Sequence, residues 1–340
     1  MLKQYIKKVV EGHNLTREEA AMAMDAIMQG NATPSQIAAL LVALHTKGES
    51  VDEITGFAEK MREHAENIFP HRENLVDTCG TGGDHSGTFN ISTVSALVAA
   101  GAGIPIAKHG NRSMSSRCGS ADVLEALGVK VDLEPKKVEA CINEVGIGFI
   151  FAPVFHKAMK FAGPTRKEIG ISTVFNILGP LTNPAHAKAQ VLGVFAPDLT
   201  EIMAEVLRNL GVKQALVVHG VDGLDEISIS EKTKVSHLHD GRIDNYFLKP
   251  EDLGIHRQKK EEILGGSAQE NAEIAIDILK NEEKGPKRKV VLLNAAAAIF
   301  VGGKAKDLEE GLKLAAESID SGAANKKLEE LVQFTSKQTS

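Results

Sequence analysis

The chain has 340 residues, 43% of them hydrophobic and 25% charged, with a formal net charge of −6. That is the composition of a folded globular protein with no global electrostatic support for nucleic-acid binding, so any anion site must be local. Three cysteines, Cys79, Cys118 and Cys141, suit neither a disulfide framework nor a zinc knuckle, and imply a reducing compartment. Met1 to Lys8 lacks the apolar core of a signal peptide, and the longest apolar run, Val94 to Ala107, is too short and glycine-broken to cross a bilayer. A cytoplasmic protein without membrane contact is expected.

Residues 1–70 read as a small helical domain. Thr16 with Glu19 makes a capping box. Thr33 followed by Pro34 opens a second helix whose Ile37, Leu40, Leu41 and Leu44 share a face, and Ser50 with Glu53 opens a third. Next, a strand starting Asn74-Leu75-Val76 feeds the glycine loop Asp77 to Asp84, after which Asn90-Ile91-Ser92-Thr93 leads into the helical run Val94 to Ala100. A second strand, Ile104 to Ala107, feeds the loop Lys108 to Ser116. The apolar runs Phe149 to Phe151, Val191 to Phe195 and Ala215 to Val218 alternate with helical segments such as Pro135 to Val145 and Leu199 to Leu210. Residues 71–340 are therefore expected to form an α/β domain with a mostly parallel central sheet flanked by helices. Lys234 to Leu248 around Asp240-Gly241 reads as a hairpin, and Ser267 with Glu270 starts a helical end.

The two loops carry the chemistry. Glycines let backbone N–H groups approach phosphate oxygens, and a helix opening behind them adds its positive end. Two common nucleotide motifs fail here: His85 stands where the dinucleotide fingerprint needs its third glycine, and Thr88 where a Walker motif needs its lysine. What remains is a polyphosphate cradle made of Gly80 to Asp84, Ser92, Thr93, Lys108 and Arg112. Asp225 and Glu226, adjacent in the loop His219 to Glu226, suit magnesium, which takes one or two carboxylates together with phosphate oxygens. In the segment Phe155 to Gly170, His156 and Met159 fall at helical spacing, and the planar fork of Arg166 could clamp a carboxylate.

These segments, in this order, resemble the anthranilate phosphoribosyltransferase family over nearly the whole chain. The resemblance implies a helical domain that residues 165–185 rejoin, an α/β domain of the kind shared by nucleoside phosphorylases and phosphoribosyltransferases, and a homodimer. It implies that Gly80, Gly83, Asp84, Thr88, Asn90, Ile91, Ser92, Thr93, Lys108, His109, Gly110, Asn111, Arg112, Ser113, Met114, Ser115, Ser116 and Ser120 bind phosphoribosyl pyrophosphate (PRPP). Gly80, Asn111, His156 and Arg166 would contact anthranilate, and Ser92, Asp225 and Glu226 would serve Mg2+, as two ions. Lys108, His109 and Arg166 are the residues implied for catalysis.

In the reaction so implied, pyrophosphate leaves C1 of the ribose and the amine of anthranilate attacks, aided by charge stabilisation and alignment rather than by a nucleophilic side chain. His109 or His156 would accept the proton. Two alternatives stand beside this one: a pyrimidine nucleoside phosphorylase-like enzyme, and a non-catalytic relative that binds PRPP or nucleic acid.

Overall fold

The computed structural model describes residues 2–113 and 117–337. Met114, Ser115 and Ser116, expected in the second loop, lie outside the described residues. Four helices, Leu2–Val10, Arg17–Met28, Pro34–Lys47 and Val51–Glu63, build the small N-terminal domain. Reciprocal capping boxes open three of them, at Thr16 with Glu19, Thr33 with Gln36 and Ser50 with Glu53. Each box satisfies backbone donors that a helix start leaves bare. The buried faces, among them Met24, Ile27, Leu40, Leu44 and Phe57, share one core with Ala162, Val174, Phe175, Ile177, Leu178 and Leu181 from mid-chain.

The larger domain is α/β. Its strands are β1 (Val76–Gly80), β2 (Ile106–Gly110), β3 (Ile147–Phe151), β4 (Ala189–Gly193), β5 (Gln214–Gly220), β6 (Thr233–His239) and β7 (Arg242–Leu248). They form one sheet ordered β3-β2-β1-β4-β5-β6-β7, parallel as far as β5 and antiparallel beyond it. The β6–β7 hairpin turns at Asp240 and Gly241, both with positive φ, as a tight type I′ turn requires. Alternation along the strands splits the core. Val191, Leu216 and Val218 face the helices Ile91–Gly101 and Pro286–Val301, while Leu192, Ala215 and Val217 face Leu199–Asn209 and the helical domain.

Several local expectations need correction. Asp77 to Gly80 and Lys108 to Gly110, read as loop, are strand: Asp77 to Gly80 pair with Gln190 to Gly193, and Lys108 to Gly110 with Phe149 to Phe151. Long-range parallel pairing overrides their polar composition. The run through His156 and Met159 is not one helix. Ala152–Phe155 ends at His156, whose φ of −108° and ψ of 58° break the spiral before a 3-10 turn, Lys157–Phe161.

From β1 the chain builds outward to β2 and β3, then returns to β1's other side to place β4. Connections leaving β1 and β4 therefore diverge. Such a switch point opens a crevice at the carboxyl ends of the strands, where open α/β sheets bind ligands.

Candidate active site

Gly80 and Gly193 end β1 and β4 side by side in that crevice. Both must be glycine because Asp225 folds over them. A Cβ on Gly193 would lie 1.6 Å from the Asp225 carbonyl oxygen, and one on Gly80 2.5 Å from Asp225 Oδ2. Beyond β1 the chain turns through Gly82 and Gly83, at φ of 66° and 80°, and Gly82 N–H donates to Asp225 Oδ2 at 3.0 Å. Asp84 joins the same cluster, its Oδ2 3.5 Å from the Asp225 amide. Glu226 accepts from Ser92 N–H at 3.1 Å, in the first turn of the helix Ile91–Gly101. A helix start favours negative charge.

This crowding perturbs both acids. Loss of hydration, followed by the Asp84 charge, pushes Asp225 up to about 7, and loss of hydration with the Asp225 charge pushes Glu226 up to about 8. Carboxylates gathered in this way call for a cation. Among the described residues no group of three or more His, Cys, Asp or Glu forms a complete metal cage. The donor set fits magnesium, a hard ion that takes few protein oxygens and fills its remaining positions from phosphate and water.

Lys108 is 3% exposed. Its Nζ donates to Thr78 O at 2.5 Å and Ser92 Oγ at 3.3 Å, which places its charge beneath the helix start rather than in open solvent. Burial lowers its pKa, opposed by the nearby Asp77, Cys79 and Glu226. Its neighbour His109 points to the opposite face of β2, as strand alternation demands. There His109 Nδ1 meets Gly179 O at 3.1 Å, and the His109 and His156 rings lie 5.1 Å apart. Both rings are buried, and the Nε2 atom of each has no hydrogen-bond partner. Burial depresses His109 to about 3 and His156 to about 4, so both are neutral with a bare ring nitrogen.

Arg166, on the helix Gly163–Ile169, lies 4.8 Å over the Phe175 ring. Burial lowers its pKa, and it makes no ion pair among the described residues. A half-buried guanidinium resting on an aromatic face is prepared for a carboxylate.

Other expected contacts sit differently. Arg112 is committed to Glu125 at 2.6 and 2.7 Å and to Asp122 at 3.0 Å. The Asn90 amide is engaged with Cys118 O and Asn271 Nδ2 at 3.1 and 3.0 Å, tying the start of the helix Ile91–Gly101 to the helix Ala268–Leu279. Asn111 Oδ1 takes the Arg112 amide at 2.8 Å, and Ser120 Oγ donates to Asn111 O at 3.2 Å. Thr88 pairs with Leu264. These contacts shape the two loops and their approaches.

Sequence reasoning missed the supports. Asp77, fully buried, accepts the His109 amide at 3.1 Å. Asn294 brackets Ile227, accepting its N–H at 2.9 Å and donating to its carbonyl at 3.1 Å, and so fixes the end of the acidic pair. Its one signal in the sequence is a lone polar residue inside the apolar run Val290 to Phe300.

A helical bundle beside an α/β domain with an anion crevice at its switch point defines a class. Residues 72–325 match the glycosyl transferase family a/b domain and residues 3–65 its helical bundle domain. An anthranilate phosphoribosyltransferase of Acetivibrio thermocellus is 57% identical over 98% of this chain and 97% of its own, and one of Methanobrevibacter smithii is 52% identical over 98% and 99%. Among solved structures, the anthranilate phosphoribosyltransferase of Thermus thermophilus superposes with a TM-score of 0.93 at 48% identity, covering 97% of this chain and 99% of its own. The Saccharomyces cerevisiae enzyme in complex with PRPP and Mg superposes at 0.91 with 28% identity, covering 99% and 98%. The chain belongs to the anthranilate phosphoribosyltransferase family.

Proposed function

We infer that this chain transfers the phosphoribosyl group of PRPP to the amine of anthranilate, giving N-(5-phosphoribosyl)anthranilate and pyrophosphate, a step of tryptophan biosynthesis. One observation carries the reading: consecutive residues of β2 face two different clusters on opposite sides of the strand. Lys108 faces the carboxylates and the helix start, where polyphosphate belongs, and His109 faces His156 and the Gly179 turn, where an aromatic acceptor belongs.

In this account Gly80 to Asp84, Ser92, Thr93 and the loop after β2 hold PRPP. Asp225 and Glu226, with Ser92, hold Mg2+, two ions in all. Bound there, magnesium neutralises charge on the departing pyrophosphate. Arg166 clamps the anthranilate carboxylate, with Asn111 and Gly80 lining the approach. A bare Nε2 of His109 or His156 takes the amine proton once attack has made the nitrogen acidic. An aromatic amine is already a neutral nucleophile, so alignment and leaving-group stabilisation supply the acceleration.

The working unit is a cytoplasmic homodimer in this reading. Val10, Met22 and Val42, large apolar side chains exposed on the first three helices, support self-association there. The helical domain comprises residues 1–70 together with about 165–185, and residues 71–340 otherwise form the PRPP-binding domain; the shared core of Phe175 and Leu178 with Phe57 supports that division.

Mixing protein, Mg2+, PRPP and anthranilate and following anthranilate fluorescence tests the function. Loss of fluorescence that needs all the components is expected. No loss, with pyrimidine nucleoside phosphorolysis instead, would replace the reading.

A further inference from the structure

Residues 179–183, a single 3-10 turn (Gly179–Leu181) and the two residues after it, run through the interior: Pro180, Leu181, Thr182 and Asn183 are all buried. Buried carbonyls need partners. Here successive carbonyls are met by side chains from different elements. Gly179 O pairs with His109 Nδ1 of β2 at 3.1 Å and also accepts from Thr182 Oγ1 at 3.0 Å. Pro180 O accepts from Gln190 Nε2 of β4 at 2.8 Å. Leu181 O accepts from Arg62 Nε, in the last turn of the helix Val51–Glu63, at 2.7 Å. The Thr182 backbone lies beside His156, where it opposes the effect of burial on the ring. Asn183 Nδ2 then turns back to Ala107 O at 2.8 Å.

Arg62 is the unusual member of the ladder. Its guanidinium is withdrawn from water, which lowers its pKa to about 10, yet it makes no ion pair among the described residues. Its partners are two carbonyls, Leu181 O and, at 3.5 Å, Leu210 O. A desolvated cation is an expensive way to satisfy one carbonyl. The arrangement does place a long, planar donor from the helical domain against the turn on which both bare imidazoles are hung.

We propose that Arg62 is a positioning residue for acceptor binding: it fixes the Gly179–Thr182 turn, and through that turn the His109 and His156 rings and the Phe175–Leu178 helix beneath Arg166. The proposal rests on the acceptor assignment made above. The turn makes no hydrogen bond to Asp84, Ser92, Asp225 or Glu226. Its links toward the PRPP half are indirect, through Gln190 Nε2 to Cys79 Sγ at 3.1 Å and Asn183 to Ala107 O, so Arg62 acts chiefly on the acceptor.

The test is steady-state kinetics of Arg62→Met, Arg62→Lys and Gln190→Met, each substrate varied with the other saturating. Arg62→Met is expected to raise the KM for anthranilate roughly tenfold, the effect of losing one charge-assisted hydrogen bond, and to leave the KM for PRPP within about twofold. Arg62→Lys, which keeps a charged donor on a long stem, recovers most of the loss. Gln190→Met, which removes the donor to the next carbonyl together with its contact to Cys79 Sγ at 3.1 Å, raises the anthranilate KM more than the PRPP KM and decides the matter if Arg62→Met does not fold. Equal rises in both KM values, or lowered thermal stability with both KM values unchanged, would overturn the proposal. A wild-type protein silent toward anthranilate overturns the functional reading instead, whereas an active wild type with unsplit variants overturns this proposal alone.

Discussion

Gly193→Ala probes the space on which the acidic loop depends. A Cβ at 193 would sit 1.6 Å from Asp225 O and 2.5 Å from its carbonyl carbon, whereas ordinary contact starts at 3.4 Å, so the Asp225 backbone must retreat by about 1.8 Å. That retreat is opposed on three sides. Gly82 N–H holds Asp225 Oδ2, Ser92 N–H holds Glu226 Oε1, and Asn294 brackets Ile227. Overpacking against backbone costs about 1–3 kcal/mol of stability, and misplacing a catalytic group by about 1 Å costs about 10²-fold in rate. We expect a folded protein, destabilised by about 1–3 kcal/mol in urea, whose kcat/KM falls by about 10²-fold or more in the fluorescence assay. Gly254→Ala, outside the site, is the control: nothing lies within 4 Å of a Cβ there, and only the strain of a 71° φ is added. If Gly193→Ala keeps more than about a tenth of wild-type kcat/KM, Asp225 is not seated as described and the metal assignment loses its geometric basis.

Replacing Asp225 by Asn and Glu226 by Gln together should raise the Mg2+ concentration needed for half-maximal turnover far more than it weakens anthranilate binding, measured by titrating MgCl2 and, separately, by acceptor fluorescence; unchanged magnesium dependence contradicts the assignment. Arg166→Met should raise the KM for anthranilate by about 10–100-fold, the value of a charge-assisted carboxylate contact, and an unaltered KM removes Arg166 from the site. His109 and His156, held neutral at about 3 and about 4, leave the unfolded chain binding more protons below about 6.5. Stability should therefore fall as pH drops from about 6.5 toward about 4, by up to about 1.4 kcal/mol per pH unit for each ring. Urea midpoints between pH 7 and pH 5 check this, and a His109→Asn, His156→Asn protein with an equally steep acid limb would contradict it.

What the sequence revealed follows how local each signal is. The capping boxes at Thr16, Ser50 and Ser267 are complete within four residues, and all three helices start there. The acids Asp84, Asp225 and Glu226 stood out because each lies in a glycine-rich loop. Lys108 and His109 were misread as loop because polar residues in a central strand are stable only with distant partners, Thr78 and Ser92 for one and Gly179 for the other. Arg62 and Gln190 left no trace, since the carbonyls they bind lie 119 and 10 positions away in the chain.

The most direct test of the two-half-site account is a single-turnover reaction followed by 31P NMR and anthranilate fluorescence together. The account predicts that free pyrophosphate appears only when anthranilate is present, in step with the fluorescence loss and one for one. Pyrophosphate released at the same rate without anthranilate, or no consumption of PRPP at all, would contradict it.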